Sequence, residues 1–416
     1  MAEDKTVKNR CNFANNFHNF CDWQWDTNLM LVAGDSIVSS LGYTTDENYL
    51  SVRQALTASK LHSQMFDLPF EFFGAILDRN RIDTLFNELQ NVDNQEYTFF
   101  EKIALLSIYS ATKNAQISIN EEDTLLILST TKGNVELLEK EQSFSSQSIF
   151  LWKSAQLLAY AIGSKQEPIV VSNACISGLS AQHLAEFYLR THRCKYAIVV
   201  GADVLSKFII SGFESFKALS KQICRPFDRQ RNGLNLGEAA ACIIYTLENQ
   251  LFTKNNAKAV YLKGAVCNDA THISAPSRTA DGLIQSIEVV LQNIDKQDIA
   301  FISAHGTATI YNDAMEAFAL NKLRLNHLPI NSLKPYFGHT LGAAGVLETI
   351  LSYRALRDGI VFKNPTFEQT DEHVDLYIPV NEVNTDGKYC LKLMSGFGGS
   401  NAAILMVNPL KLTDYE

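Results

Sequence analysis

The chain has 416 residues, 46% of them hydrophobic and 19% charged, with a net charge of −9. That composition supports a substantial core over two or three domains of about 150 residues each and excludes general disorder. An acidic balance without a basic cluster sets aside nucleic acid and anionic membrane as principal partners.

The eight cysteines stand at 11, 21, 175, 194, 224, 242, 267 and 390, with no CxxC pair among them. Zinc-ribbon and redox-dithiol frameworks therefore lack their spacing. Cys11, His18 and Cys21 could share a metal, but no fourth ligand follows at a recognisable distance. Met1 to Arg10 is mostly polar, without the apolar stretch of a signal peptide. The longest apolar segment, Tyr196 to Phe213, is interrupted by Asp203 and Lys207 and is too broken to span a bilayer. A reducing cytoplasm is the expected compartment.

In chain order, residues 1–28 are rich in Asn, Phe and Trp without periodicity and read as an irregular arm. Leu29 to Gly34 reads as a strand, Thr45 to Ala58 as a helix with Asp46 and Glu47 suiting its first turn. Residues 60–95 support only a helix near Arg81 to Leu89; a helix at Thr98 to Lys113 then leads into a strand at Thr124 to Ser129. Ile169 to Val171 is a short β-branched run followed by a junction of Ser, Asn and Gly and a helix from Ser177. Tyr196 to Ala202 reads as a buried strand, Gly237 to Tyr245 as a loop entering a strand, Val260 to Val266 as a further strand, and Asp281 to Asn293 as an amphipathic helix. Strand Ile299 to Ala304, helix Asp313 to Leu323 and strand Leu328 to Leu333 follow. A glycine-rich run leads into a helix ending near Arg357, and the strands Cys390 to Met394 and Ala402 to Val407 close the chain. Alternating helices and near-continuous apolar strands define an α/β architecture with covered sheets. A faint repeat is present: Gly and Arg lie 3 and 15 residues after Cys175 (Gly178, Arg190) and again after His339 (Gly342, Arg354). Two related halves facing each other would produce it.

Cys175 falls on the turn between strand and helix, where the positive helix end would lower the thiol pKa. A lone cysteine of this kind is ordinarily a packed thiol. His305 and His339, however, also occupy turns after strands, among glycines and small residues. A thiolate that takes an acyl group, with imidazoles that polarise a second carbonyl, is the equipment for carbon–carbon condensation of thioesters.

The runs Asn173-Ala-Cys-Ile-Ser-Gly, Arg225-Pro-Phe-Asp, Gly237-Glu, His305-Gly-Thr-Ala-Thr, Lys334-Pro-Tyr-Phe-Gly-His-Thr-Leu-Gly-Ala-Ala-Gly and Gly396-Phe-Gly-Gly-Ser-Asn-Ala occur in that order. Together they resemble the β-ketoacyl-acyl-carrier-protein synthases, the elongating condensing enzymes of the thiolase fold. The resemblance implies two related α/β halves in an α-β-α-β-α arrangement, 29–250 carrying the nucleophile and 251–410 carrying both histidines. It implies Cys175 as the acylated nucleophile, His305 and His339 as its catalytic partners, and Lys334 with Glu348 as the charged pair behind them. Phe397 would be the gate, its backbone N–H completing an oxyanion hole with that of Cys175; Ser274, Thr307 and Thr309 would meet the phosphopantetheine arm. No metal or diffusible cofactor is expected, because phosphopantetheine arrives covalently on an acyl-carrier protein. A homodimer, or a heterodimer with a related chain, is implied, paired across a strand read as Tyr196 to Ala202. The departures are Asn232, Ala239 and Ile176, the last read either as narrowing the acyl pocket or as marking an unusual substrate. The implied reaction is decarboxylative condensation of malonyl-carrier protein with an acyl group on Cys175, extending a fatty-acyl, polyene or polyketide chain. The alternatives are a non-elongating chain-length partner, which Cys175 argues against, and a thiolase-type acyltransferase, which lacks its second cysteine here.

Overall fold

The computed structural model describes residues 29–89, 95–115, 122–139, 144–248 and 258–412. The arm at 1–28, with Cys11, His18 and Cys21, lies outside the described residues, as does the 250/251 division.

The first half runs β1 (Met30–Ser39), α1 (Thr45–Arg53), β2 (Lys60–His62), β3 (Phe72–Ala75), α2 (Arg79–Asn87), α3 (Phe99–Ala115) and β4 (Thr124–Ser129). It continues through α4 (Leu151–Ala161), β5 (Ile169–Val171), α5 (Ser177–Arg190), β6 (Tyr196–Asp203), α6 (Lys207–Ser215), β7 (Leu236–Gly237) and β8 (Ala239–Thr246). The second comprises β9 (Val260–Asn268), α7 (Asp281–Leu291), β10 (Ile299–Ser303), α8 (Ile310–Lys322), β11 (Ile330–Asn331), α9 (Lys334–Phe337) and α10 (Ala344–Asp358). It ends with β12 (Ile360–Val361), β13 (Val383–Asn384), β14 (Tyr389–Gly396) and β15 (Ser400–Val407).

Ten strands join in the order β11-β10-β14-β15-β9-β1-β8-β6-β4-β5. Within each half the pattern is the same. The second strand lies between the third and fourth, parallel to both; the fifth pairs antiparallel with the fourth, and the first antiparallel with the fifth. Cys175 thus follows the third large strand of its half, β5, and His339 the third of the other, β11. The sequence repeat has its physical counterpart in this duplicated topology.

Strand alternation assigns the layers. On β6, Ala197 and Val199 face a core shared with α5 and α10, while Ile198, Val200 and Ala202 face α3 and α4. On β15, Ala402, Ile404 and Met406 face the same central helices, while Ala403, Leu405 and Val407 face α7 and α8. Helices, sheet, helices, sheet, helices follow in succession. In the middle layer α5 and α10 cross where a Cβ on Gly178 would stand 2.8 Å from the Gly345 Cα.

Several expectations need correction. α1 ends at Arg53, because Ala55 takes a left-handed φ of 59°. α8 begins at Ile310, three residues before the position read from sequence. The 60–95 region also holds β2 and β3, which form a small sheet with β7, and α4 and α6 lacked a sequence signal clear enough to assign. β6 is hydrogen-bonded to β4 on one side and β8 on the other, so it has no edge to offer a partner. Among the described residues no helix is long and apolar enough to cross a membrane.

Candidate active site

Cys175 sits where β5 turns into α5. Ala174 adopts a left-handed φ of 46°, which makes the turn sharp enough to aim the thiol away from the sheet. Ser177 locks it, its hydroxyl donating to the Ala174 carbonyl (2.6 Å) and accepting from the Asn173 N–H (2.7 Å).

His305 follows β10 in a loop held by two carboxylates of α8. Glu316 accepts from the backbone N–H groups of His305 and Gly306 (both 2.7 Å), and Asp313 from those of Thr307 (3.0 Å) and Phe227 (2.7 Å). Burial, as the largest effect, raises these carboxyls to about 6 for Asp313 and about 7 for Glu316. His339 is fixed through its backbone: its N–H donates to Asn235 O (2.6 Å), and its carbonyl accepts from the Gly237 N–H (3.1 Å).

These three turns bring the Cys175, His305 and His339 side chains together, the Sγ and one ring nitrogen of each imidazole lying within 4.8 Å of one another. The imidazoles stand edge to face, centroids 5.3 Å apart at 81°. All three side chains are buried yet line one cavity of about 400 Å³, which Ser274, Thr307, Thr309 and Phe397 also line. The Thr307 and Thr309 hydroxyls are hydrogen-bonded at 2.9 Å.

Behind the histidines lies a buried charge cluster. Lys334 is hydrogen-bonded to Glu348 Oε1, and Lys392 Nζ stands 2.5 Å from Glu348 Oε2. Lys392 also donates to the Ser303 and Ala304 carbonyls at 3.2 and 3.1 Å, immediately before His305. Two ammonium groups on one carboxylate leave an excess positive charge here. Burial first, then Lys334, hold both imidazoles well below the usual histidine range, so each is neutral. Leu341 N–H donates to His339 Nδ1 (3.3 Å), which places the ring hydrogen on Nε2. That Nε2 and His305 Nδ1 are buried without a protein partner among the described residues. The same excess charge opposes a metal cation on the three converging atoms.

The thiol departs from expectation. Burial pushes Cys175 up to about 11, outweighing Lys334 and the Phe397 backbone N–H, both of which act to lower it. The position before α5 does not by itself yield a thiolate, because a fully enclosed sulfur loses the hydration its charged form needs. Gly396 packs against the Cys175 N–H, where an added Cβ would lie 3.2 Å away, so the two backbone N–H groups proposed for the oxyanion come from adjoining segments.

Every site residue expected from sequence therefore falls at this cavity or directly behind it. Ile176 instead packs into the central core and is absent from the cavity wall, whereas Asn232 lines it. Lys392, Asp313 and Glu316 were missed. Lys392 had a signal: it shares a strand face with Cys390 and Met394, and a lysine among apolar neighbours on a covered face needs an anion.

A duplicated five-layer α/β fold with a cysteine and two neutral histidines on one cavity defines a thioester-condensing acyltransferase class. Residues 50–250 match the family model for the β-ketoacyl synthase N-terminal domain and residues 258–368 that for the C-terminal domain, and the chain belongs to the β-ketoacyl synthase family. It is 26% identical over 347 residues to a putative polyketide β-ketoacyl synthase 1 of Streptomyces halstedii, covering 74% of this chain and 82% of that protein. Against 3-oxoacyl-[acyl-carrier-protein] synthase 2 of Staphylococcus aureus the figures are 26% over 351 residues, 77% and 85%. Among solved structures, the ishigamide ketosynthase/chain length factor superimposes with a TM-score of 0.81 at 22% identity, over 91% of this chain and 99% of that one. A β-ketoacyl synthase from Burkholderia phymatum gives 0.81 at 21% over the same shares.

Proposed function

We propose that this chain is an active elongating synthase, catalysing decarboxylative condensation of malonyl-carrier protein with an acyl group held on Cys175 to extend a fatty-acyl, polyene or polyketide chain. The observation that carries the reading is the convergence of Cys175, His305 and His339 within 4.8 Å on one cavity. Acylation exchanges the Cys175 thiol proton for the acyl group, and the carrier leaves as a free thiol. Malonyl-carrier protein then enters, its phosphopantetheine arm passing Ser274, Thr307 and Thr309. The bond to its carboxylate breaks, CO2 departs, and the electron pair is delocalised onto the thioester oxygen. Neutral histidines suit that oxygen as hydrogen-bond donors, and His339, whose Nδ1 accepts from the Leu341 N–H, carries its ring hydrogen on Nε2. The nascent carbanion attacks the acyl-Cys175 carbonyl, whose oxyanion falls to the N–H groups of Cys175 and Phe397; collapse releases the β-ketoacyl product and the thiolate. Lys334 and Glu348, with Lys392, hold the histidines in place and neutral. Phosphopantetheine arrives covalently on the carrier, and no metal or diffusible cofactor takes part.

An acyl-carrier protein is the expected partner. A solved relative, a type II polyketide ketosynthase, is described in complex with its acyl-carrier protein, and two others pair a ketosynthase with a chain length factor. A silent chain-length role has no use for a nucleophile so arranged. The test is intact-protein and peptide mass spectrometry after incubation with a panel of acyl-carrier proteins. An adduct on Cys175, lost in Cys175→Ser, is expected; an adduct on Cys267 with Cys175 unmodified overturns the assignment.

A further inference from the structure

The Phe397 side chain is held in a way that its own loop does not explain. Three of the four residues from Gly396 to Gly399 are glycine, and Gly398 and Gly399 take φ of 82° and 72°. A Cβ at Gly398 would meet nothing within 4 Å, so there is open space beside the tip of the turn. Its backbone is tethered at Phe397, whose carbonyl accepts from the Ser400 hydroxyl (3.2 Å), and beyond it, where the Gly398 N–H donates to Ile273 O (2.7 Å) and Asn268 Nδ2 to Gly398 O (2.9 Å). The Phe397 side chain is gripped instead by α6. Phe213 stacks on it at 6.0 Å and 24°, and Phe216 meets it edge to face at 5.3 Å and 65°.

Phe213 and Phe216 are three residues apart at the C-terminal end of α6, and so share a face. Phe216 is 56% exposed, a large aromatic ring outside the core whose described ring contact is Phe397. The post that carries the pair is firm at its other end. Ser206 caps it, and Glu139 accepts from the Lys207 and Phe208 N–H groups at 3.1 and 2.7 Å. Both rings and Phe397 line the cavity with Cys175.

We infer that Phe213 and Phe216 form an aromatic latch on Phe397, setting how readily the gate opens and hence which acyl chains reach Cys175. The inference rests on the synthase reading above. A short acyl group passes with the rings in place; a long one must displace Phe397, and each displacement breaks both ring contacts. Phe216 is a positioning residue, acting on selectivity through Phe397 rather than on the reacting atoms. Losing one aromatic pair shifts an open-to-closed equilibrium by about two- to tenfold.

The experiment is single-turnover acylation of the full chain by short- and long-chain acyl-pantetheine thioesters, read by intact-protein mass spectrometry, in wild type, Phe216→Ala and Phe216→Trp. Iodoacetamide alkylation of Cys175 serves as the chain-independent control. Phe216→Ala should raise long-chain acylation about two- to tenfold relative to short-chain. Alkylation should stay unchanged, and Phe216→Trp should restore the wild-type ratio. An unchanged chain-length ratio in Phe216→Ala overturns the latch, as does equal loss on all substrates. If wild type accepts no acyl group at all, the synthase reading falls and the latch falls with it.

Discussion

Cys175 and the two histidines divide the proton work according to which nitrogens the protein has already committed. His339 Nδ1 accepts from Leu341 N–H, so its Nε2 is a donor and cannot take the thiol proton. His305 Nδ1 has no such partner among the described residues, which leaves His305 as the ring with a nitrogen not committed to the backbone and so available to relay the thiol proton. His305→Ala should therefore slow acylation as well as decarboxylation. His339→Ala should spare acylation and cost decarboxylation about 10²–10³ in rate, the usual loss of one oxyanion donor. Single-turnover acylation set against malonyl-carrier-protein decarboxylation separates the two, and wild-type acylation in His305→Ala would refute the division. For resting enzyme the sign with pH is simple: a raised thiol pKa keeps sulfur protonated, so iodoacetamide alkylation should climb tenfold per pH unit without a plateau near neutrality. The charge cluster makes a separate prediction. Glu348 is the carboxylate common to Lys334 and Lys392, and Glu348→Gln leaves two buried ammonium groups facing each other. Breaking a buried pair in this way costs about 3–5 kcal/mol, measurable by chemical denaturation, and a loss below about 1 kcal/mol would mean that the cluster does not hold the site.

At the scale of elements, the close approach of α5 to α10 holds the nucleophile's helix against the helix that follows His339. A Cβ on Gly345 would stand 2.7 Å from the Leu179 N–H. Glycine-to-alanine inside a helix ordinarily gains about 1 kcal/mol; here overpacking should reverse the sign, costing about 1–3 kcal/mol in Gly345→Ala. Thermal unfolding checks it, and a stabilised Gly345→Ala variant would show that the helices can separate freely. The sequence made the strand-turn-helix units around Cys175, His305 and His339 legible because glycines and small residues punctuate apolar runs there. It did not reveal α4 or α6. Their apolar residues (Leu157, Leu158, Ile209, Ile210) share those stretches with Phe150, Trp152, Tyr160 and Phe208, which are exposed, so the periodicity is blurred. The β2-β3-β7 sheet was illegible for another reason: it is built from two- to four-residue strands, with β3 and β7 paired across 162 positions, Gly74 with Leu236. No local pattern records such a pairing. Asp313 and Glu316 were hidden otherwise: their partners are backbone N–H groups, mostly of the loop just before α8, which leave no mark in residue type.

For the whole molecule, the sheet has two ends and they differ. At β11 the Ile330 N–H donates to Tyr377 O, so a chain segment covers that edge. At the other end β5 has β4 as its one strand neighbour among the described residues, and its residues Ile169, Val170 and Val171 are only half-buried. An apolar strand with an unpaired edge is the feature that a second chain completes by adding a strand. β5 also leads directly to Cys175, and Phe150, Trp152 and Tyr160, the last two on the neighbouring α4, are large exposed aromatics. This edge, rather than β6, is therefore the place for the proposed homodimer or heterodimer. Sedimentation of the purified chain at micromolar concentration should show a dimer, or a monomer that becomes a dimer when a related synthase chain is supplied. Trp152→Glu together with Tyr160→Glu should dissociate it, because charges brought into an apolar interface core lose hydration without gaining partners. Since the edge strand carries the turn that aims the thiol, the dissociated variant should also acylate Cys175 more slowly. A chain that stays fully active as a monomer would remove β5 from the interface and the interface from the mechanism.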